Sequence, residues 1–273
     1  MPPEPLYPTL RGGTFATNFY HKNNPPSRRK MLEPKRSYSY RIEPCQADLT
    51  QRLTLAGLAD YILTAAFTDA LFSGYDNHSF GEECGWVLLR MAMEVRRLPA
   101  QLETITIRAW VSDINRLAST HNYEVLDSCG NIIATSSTIW TVIDLRSRKT
   151  VPPVEFPHFA ERIVNPALEP PCALPQRLST PELNGRYTHQ VLYSYIDGNG
   201  HTYSINYLRM ALDTLDIAQL TTTRSVRIDL NYMHETHYGE RLTIVTDHSP
   251  NPLFEIQAED GTPASRIKIT WGD

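Results

Sequence analysis

Between Leu53 and Phe72 the sequence is apolar around most of the circumference of a helix. A helix laid on a surface keeps one polar face, so this one must be wrapped by other structure. Asp60 and Asp69 interrupt the run, which argues against a membrane span. Ahead of it, Ser37 to Ile42 alternates with Tyr38, Tyr40 and Ile42 on one side, the period of a strand. Behind it come strand signals at Trp86 to Val95 and at Glu103 to Trp110, where Ile105, Ile107 and Ala109 alternate with polar neighbours. His121 to Leu126 and Ile132 to Leu145 flank a turn at Asp127 to Asn131, the pattern of an antiparallel hairpin.

The same plan returns further along. Tyr187 to Ile196 reads as a strand, and Ile205 to Leu220 as a helix with Ser204 as its N-cap. Asn206, Arg209, Asp213 and Asp216 form a polar stripe opposite Ile205, Leu208, Leu212 and Leu215. Three strands are expected after it: Val226 to Tyr232, a run led by Leu242 and Ile244, and a last one through Ile267, Ile269 and Trp271. Between the copies, Arg146 to Pro181 carries eight prolines and little periodicity, the text of a linker crossing the surface. A helix feeding an antiparallel sheet, twice over, gives an α+β architecture. The expected organisation is an arm over 1–34, a first half over 35–150, a linker over 151–184 and a second half over 185–273. The arm is polar and Pro-rich, with Arg28, Arg29 and Lys30 clustered, so it is expected to be disordered or loosely attached. Met31 offers an alternative start.

At 273 residues, 41% hydrophobic and 21% charged, with a net charge of −4, the chain has ordinary globular composition. The charge argues against a general nucleic-acid binder. Cys45, Cys84, Cys129 and Cys172 are scattered, which suits a reducing, cytoplasmic setting better than a disulfide framework. Asn77-His78-Ser79 is formally a glycosylation acceptor, but nothing resembling a secretory signal accompanies it.

The chemistry-bearing stretch is Asp197-Gly198-Asn199-Gly200-His201, just before the second helix. Such text is ordinary turn chemistry. Were it extended, however, its three polar side chains would share one face. Glu235 follows in the next strand-like run; if alternation from Val226 held, it would point away from the apolar face, so a bulge near Met233 is expected to re-aim it. Residues 37–60 contain neither His nor Asn, so the first half cannot host the same chemistry, and one site per chain is expected.

At these residues the chain resembles the acyl-acyl carrier protein (acyl-ACP) thioesterases of plants and bacteria. The resemblance covers about 35–273. It is carried in the first half by Gly85-Trp86-Val87-Leu88-Leu89-Arg90, Arg96-Arg97-Leu98-Pro99, Ile105 to Trp110, Ile139-Trp140 through Asp144, and Arg148-Lys149. In the second it is carried by Asp197-x-Asn199-x-His201, Tyr207, and Tyr232-Met233-His234-Glu235. It implies a tandem hotdog fold, each half a long helix wrapped by an antiparallel sheet, with the acyl-chain pocket in the first half. The implied activity is hydrolysis of fatty acyl-ACP thioesters through a network of Asp197, Asn199, His201 and Glu235. The implied partner is ACP with its acyl-phosphopantetheine, and no cofactor or metal is needed. The chain departs from the plant-type pattern in having Thr236 where a Cys follows the Glu, and Tyr203-Ser204 where Asn-rich text follows the His. The first departure argues that water, not a cysteine, attacks.

Thioester hydrolysis needs an activated water, donors for the oxyanion and something to hold both. Glu235 is the candidate base, Asn199 a fixed amide for water or substrate, and Asp197 an orienting group. His201 could donate to the thioester or share the proton, and backbone N–H groups over His201 to Ser204 could polarise the carbonyl. His234 and His237 would fall on opposite strand faces and are not expected to pair on a metal. Arg146, Arg148 and Lys149 read as a solvated hairpin end, with a carrier-docking patch as the other reading. Other readings of the whole chain are an acyl-CoA thioesterase or hydratase of the same superfamily, and a non-catalytic acyl-binding module. The sequence leaves homodimerisation open.

Overall fold

The computed structural model describes residues 35–75, 83–155, 165–179, 183–221 and 225–272. The arm over 1–34 and the Asn77-His78-Ser79 motif lie outside them. In the first half, β1 (Arg36–Arg41) leads to the helix α1 (Leu55–Ser73), followed by β2 (Cys84–Val95), β3 (Thr104–Ile114), β4 (Ser119–Leu126), β5 (Ile132–Asp144) and the short β6 (Thr150–Val151). The second half runs β7 (Gly185–Gln190), α2 (Ser204–Leu212), a single turn α3 (Ile217–Leu220), β8 (Val226–Tyr232), β9 (Arg241–Thr246), β10 (Leu253–Gln257) and β11 (Pro263–Trp271).

The apolar helix is where its composition requires it to be. Thr54 caps α1 by accepting from Gly57 N at 2.9 Å, and Gly74 ends it in the left-handed region at φ 68°. Leu58, Ala59, Ile62 and Ala65 are fully buried, each large side chain contributing roughly 1.5–3 kcal/mol. By length and composition alone α1 is apolar enough to cross a bilayer despite its two aspartates. The fold accounts for that apolarity otherwise, because 61% of the window is buried inside the molecule. Asp69 sits near its end, 2% exposed, and accepts from Arg36 Nε and Nη2 at 2.5 and 2.6 Å, from Tyr38 at 2.8 Å and from Tyr75 at 2.6 Å. A carboxylate can be buried there because its charge is paired and its lone pairs are filled.

The sheet order is β1-β3-β4-β5-β2-β8-β11-β10-β9-β7, with β6 on β5 and every pairing antiparallel. Read outward from the centre, the two halves repeat one order, so the second strands of each copy, β2 and β8, meet at the seam. Each half is a hotdog: a sheet around a helix. The α+β tandem-hotdog architecture is therefore present, with differences in the second half, where the strand expected over Tyr187 to Ile196 is Gly185–Gln190 and gives way to a 3-10 turn at Tyr193–Tyr195. The second helix stops at Leu212, because Thr214 Oγ1 bonds back to Ala211 O at 2.8 Å and Asp216 caps a new turn at Ala218 N at 2.9 Å, local bonds that compete with the helix. The strand β10 is additional to the three expected. It contains Glu255, 5% exposed, whose charge is met by Arg266 of β11 at 2.7 Å.

Along β8, Val226, Ile228 and Leu230 face the core. The alternate residues meet the connecting segment: Asp229 Oδ1 accepts from Gln176 N at 3.2 Å, and Asn231 Oδ1 from Leu178 N at 2.9 Å. Asn231 Nδ2 returns a bond to Gln176 O at 2.8 Å. This segment satisfies its backbone on polar strand residues, which is why Asp229 and Asn231 are buried.

Candidate active site

Asp197 to His201 is a closed turn and not an extended run, so period-two alternation does not govern it. Asp197 N donates to His201 O at 2.9 Å and Gly200 N to Asp197 O at 3.1 Å. The Asp197 carboxylate folds into the turn, accepting from Asn199 N at 2.8 Å and His201 N at 3.3 Å. Gly200 supplies φ 83°. Asn199 therefore stands exposed at the tip, its amide 3.5 Å from Asp197 Oδ2.

The chain leaves the ladder after Tyr232 as a bulge would make it: Met233 N and His234 N both donate to Ala264 O, at 2.9 and 3.2 Å. Glu235 is thereby turned to His201, with Nε2 and Oε2 3.4 Å apart. Of the four sequence-predicted residues, the fold brings these two into contact, keeps Asp197 behind His201, and leaves Asn199 at the rim. Thr236, directly after Glu235, is fully buried and bonds to Thr202 Oγ1 at 2.7 Å and Tyr207 OH at 2.9 Å. That position faces the core.

Arg148, by sequence a solvated hairpin end, ion-pairs with Glu235 Oε2 from the turn between β5 and β6. The residue crosses from the first half into the second-half cluster. Partial burial pushes the Glu235 carboxyl up, but the Arg148 hydrogen bond, with the charges of His201, Arg148 and His237, outweighs it and leaves the group below the usual carboxylate range. The His237 ring stands edge-on to His201 at 5.1 Å, and its Nδ1 lies 2.9 Å from Glu240 Oε1. Neither His234 nor His237 lies in a strand, so the opposite-face argument does not apply to them. Among the described residues no group of three or more His, Cys, Asp or Glu is arranged to hold a metal.

Two further expectations change. Ser204 is the first helical residue and not the cap, a place taken by Tyr203 without a side-chain bond. Three of the four N–H groups considered for the oxyanion are committed: His201 N to Asp197, Thr202 N to Thr236 O at 2.8 Å, and Tyr203 N to Tyr195 O at 2.8 Å. The polar stripe of the second helix divides, Asp213 and Asp216 being exposed and its first two members engaged by the fold. Asn206 is buried against Tyr195 O at 3.0 Å, and Arg209 pairs with Asp60 of α1. A cavity of about 110 Å³ lined by Tyr187, Asp216, Gln219, His248 and Phe254 among others includes neither His201 nor Glu235.

With this geometry in place, comparison with known proteins is specific. The model of the acyl-ACP thioesterase N-terminal domain matches residues 34–155, and that of the C-terminal domain matches 180–273. A chloroplastic acyl-ACP hydrolase of Cuphea viscosissima is 21% identical over 263 residues, covering 88% of this chain and 62% of the relative. A chloroplastic palmitoyl-ACP thioesterase of Cuphea hookeriana is 20% identical over 264 residues, covering 87% and 61%. The chain thus spans about three fifths of the length of these curated relatives. A solved acyl-ACP thioesterase of Bacteroides thetaiotaomicron superposes with a TM-score of 0.80 at 27% identity, covering 88% of this chain and 98% of that one. The 12:0-ACP thioesterase of Umbellularia californica shares the fold, with a TM-score of 0.75 at 16% identity over 89% and 99%.

Proposed function

The chain belongs to the acyl-ACP thioesterase family, and from that premise we propose that it hydrolyses fatty acyl-ACP thioesters to free fatty acid and ACP. The observation that carries the reading is the meeting of His201 and Glu235 beside the Asp197 turn, within a chain matched by both family domains in order. Water adds to the thioester carbonyl, the C–S bond breaks, and the phosphopantetheine thiol leaves with the proton that the water gives up. Glu235, ionised at neutral pH, accepts that proton; His201, sharing its Oε2, donates to the oxygen or sulfur on which charge develops. Asn199 at the rim positions water or the pantetheine amide. The acyl tail runs toward the apolar first half. Water is the attacking group in this scheme. The hydroxyl of Thr236 is already committed to Thr202 and Tyr207, and all four cysteines lie in the first half or the connecting segment.

Thiol release from a panel of acyl-ACP and acyl-CoA thioesters tests this, run beside Asn199→Ala and Glu235→Ala. Hydrolysis by the wild type, strongest on ACP substrates and reduced in both variants, is the expected result. No hydrolysis of any thioester would sink the reading, and full activity in both variants would leave the fold but remove the site.

A further inference from the structure

Arg148 occupies a position that backbone energetics would give to glycine or asparagine. Its φ is 59°, a left-handed conformation that costs an ordinary side chain of order 1 kcal/mol. The turn holding it is tightly closed: Arg148 N donates to Asp144 O at 2.8 Å, and Asp144 N to Lys149 O at 2.9 Å. Gln51 bears the same conformation in a turn without chemistry, so what sets Arg148 apart is where its turn directs the side chain. Here it aims the guanidinium across the seam at Glu235. Arg148 and His201 both contact the same oxygen, Oε2. Among the described residues Oε1 takes no hydrogen bond, so the clamp leaves one carboxylate oxygen available.

We propose that Arg148 is a positioning residue of the hydrolytic site, fixing Glu235 with Oε2 toward His201 and Oε1 turned out to hold the attacking water. This rests on the hydrolytic reading above. A carboxylate on a three-bond side chain that is 34% exposed has rotamers to lose, and a planar guanidinium fixes it better than a point charge would. The groups facing Glu235 are Arg148 from the β5–β6 turn, His201 from the Asp197 turn and His237 from the loop after β8, the last paired with Glu240. Arg148 is the permanent cation among them, so its removal releases the carboxyl upward in pKa.

The test uses the full chain carrying Arg148→Gln, Arg148→Gly and Arg148→Lys. The Glu235 carboxyl is titrated by carbon NMR, and thiol release from acyl-ACP and acyl-CoA is followed against pH. In the Gln and Gly variants Glu235 should titrate at higher pH, the acid limb of the rate profile should move with it, and kcat should fall roughly 10- to 100-fold. KM should change little. Arg148→Lys should restore the titration and part of the rate, and Arg148→Gly, relieved of strain, should melt no lower than the wild type. An active wild type with Glu235 titrating unchanged in the Gln and Gly variants overturns the role while leaving the hydrolytic reading intact. A loss confined to KM for ACP substrates, with acyl-CoA turnover and the acid limb unmoved, also overturns it and makes Arg148 a carrier contact. A wild type that cleaves no thioester overturns the hydrolytic reading itself, and the NMR titration still reports whether the two side chains are coupled.

Discussion

Asp48 in the first half closes the same five-residue turn as Asp197 in the second. Asp48 N donates to Arg52 O at 2.8 Å and Gln51 N to Asp48 O at 2.9 Å, while Thr50 N donates to the Asp48 carboxylate at 2.7 Å; the Asp197 turn repeats each bond. The fourth residue is left-handed in both, Gln51 at φ 60° and Gly200 at φ 83°. Leu53 N donates to Pro99 O at 2.9 Å as Thr202 N does to Thr236 O. His201 thus stands where Arg52 stands, and Glu235 where Leu98 stands. The first half, which lacks His and Asn over 37–60, has the turn without the chemistry. The aspartate is common to both because the turn needs it, and what distinguishes the second half is Asn199, His201, Glu235 and the Arg148 that reaches them.

The largest effect should separate the equivalent pairs. Glu235→Ala or His201→Ala should lower kcat/KM for thiol release roughly 100- to 10,000-fold, with little change in melting temperature, whereas Leu98→Ala and Arg52→Ala should leave turnover within about tenfold. Equal losses in both halves would break the comparison. The first half should instead carry the pH dependence of stability. Burial, with the positive charge of Arg36 and against Asp69, holds His121 down at about 4. A histidine neutral in the fold binds its proton sooner when unfolded. Its contribution is therefore complete above the unfolded value near 6.5 and is lost as pH falls toward 4, about 3 kcal/mol in all. Denaturant titrations from pH 7 to 4 should show that slope, and His121→Phe should flatten it, even at a cost in absolute stability.

Much of this was legible in the sequence because one physical rule governed each element. The all-round apolarity of α1 demanded a wrapping sheet, and period-two alternation located β1, β3 and β8. The parts that were missed obey pair interactions, which a single strand of text does not display. β10 is hidden because Glu255 is neutralised by Arg266, its register partner on the neighbouring strand 11 positions away. The second helix looked longer than it is because Asp213 and Asp216 fit its polar stripe, while Asp216 caps a separate turn. At the site, Glu235 and His201 were found by their spacing and resemblance. Arg148 was not, since its partner lies 87 positions away; the signal was there only as Arg148-Lys149 within the resembling text.

Smaller effects sharpen what the shared turn contributes. Asp48→Ala and Asp197→Ala each remove a carboxylate that accepts turn N–H groups, so each should cost about 1 kcal/mol of stability, as loss of a cap does. Only Asp197→Ala should also slow thiol release, through a displaced His201, and Asp197→Asn, which keeps an acceptor, should recover most of both. Equal stability losses with an activity loss confined to the second half would show one structural role put to use in one place.

The subtlest contrast is between the two left-handed residues. A Cβ at Gly200 would meet nothing within 4 Å, so Gly200→Ala should be destabilising by about 1 kcal/mol purely through the backbone. Gln51 already bears that conformational cost at φ 60°. Replacing it with Gly removes the strain while adding freedom to the unfolded chain, and the two nearly cancel, so Gln51→Gly should shift stability by less than about 1 kcal/mol. Denaturant midpoints of the two variants measure the asymmetry. If Gln51→Gly stabilised the protein by several times that amount, the first turn would be strained beyond its backbone angle, and the two turns would not be energetic equivalents.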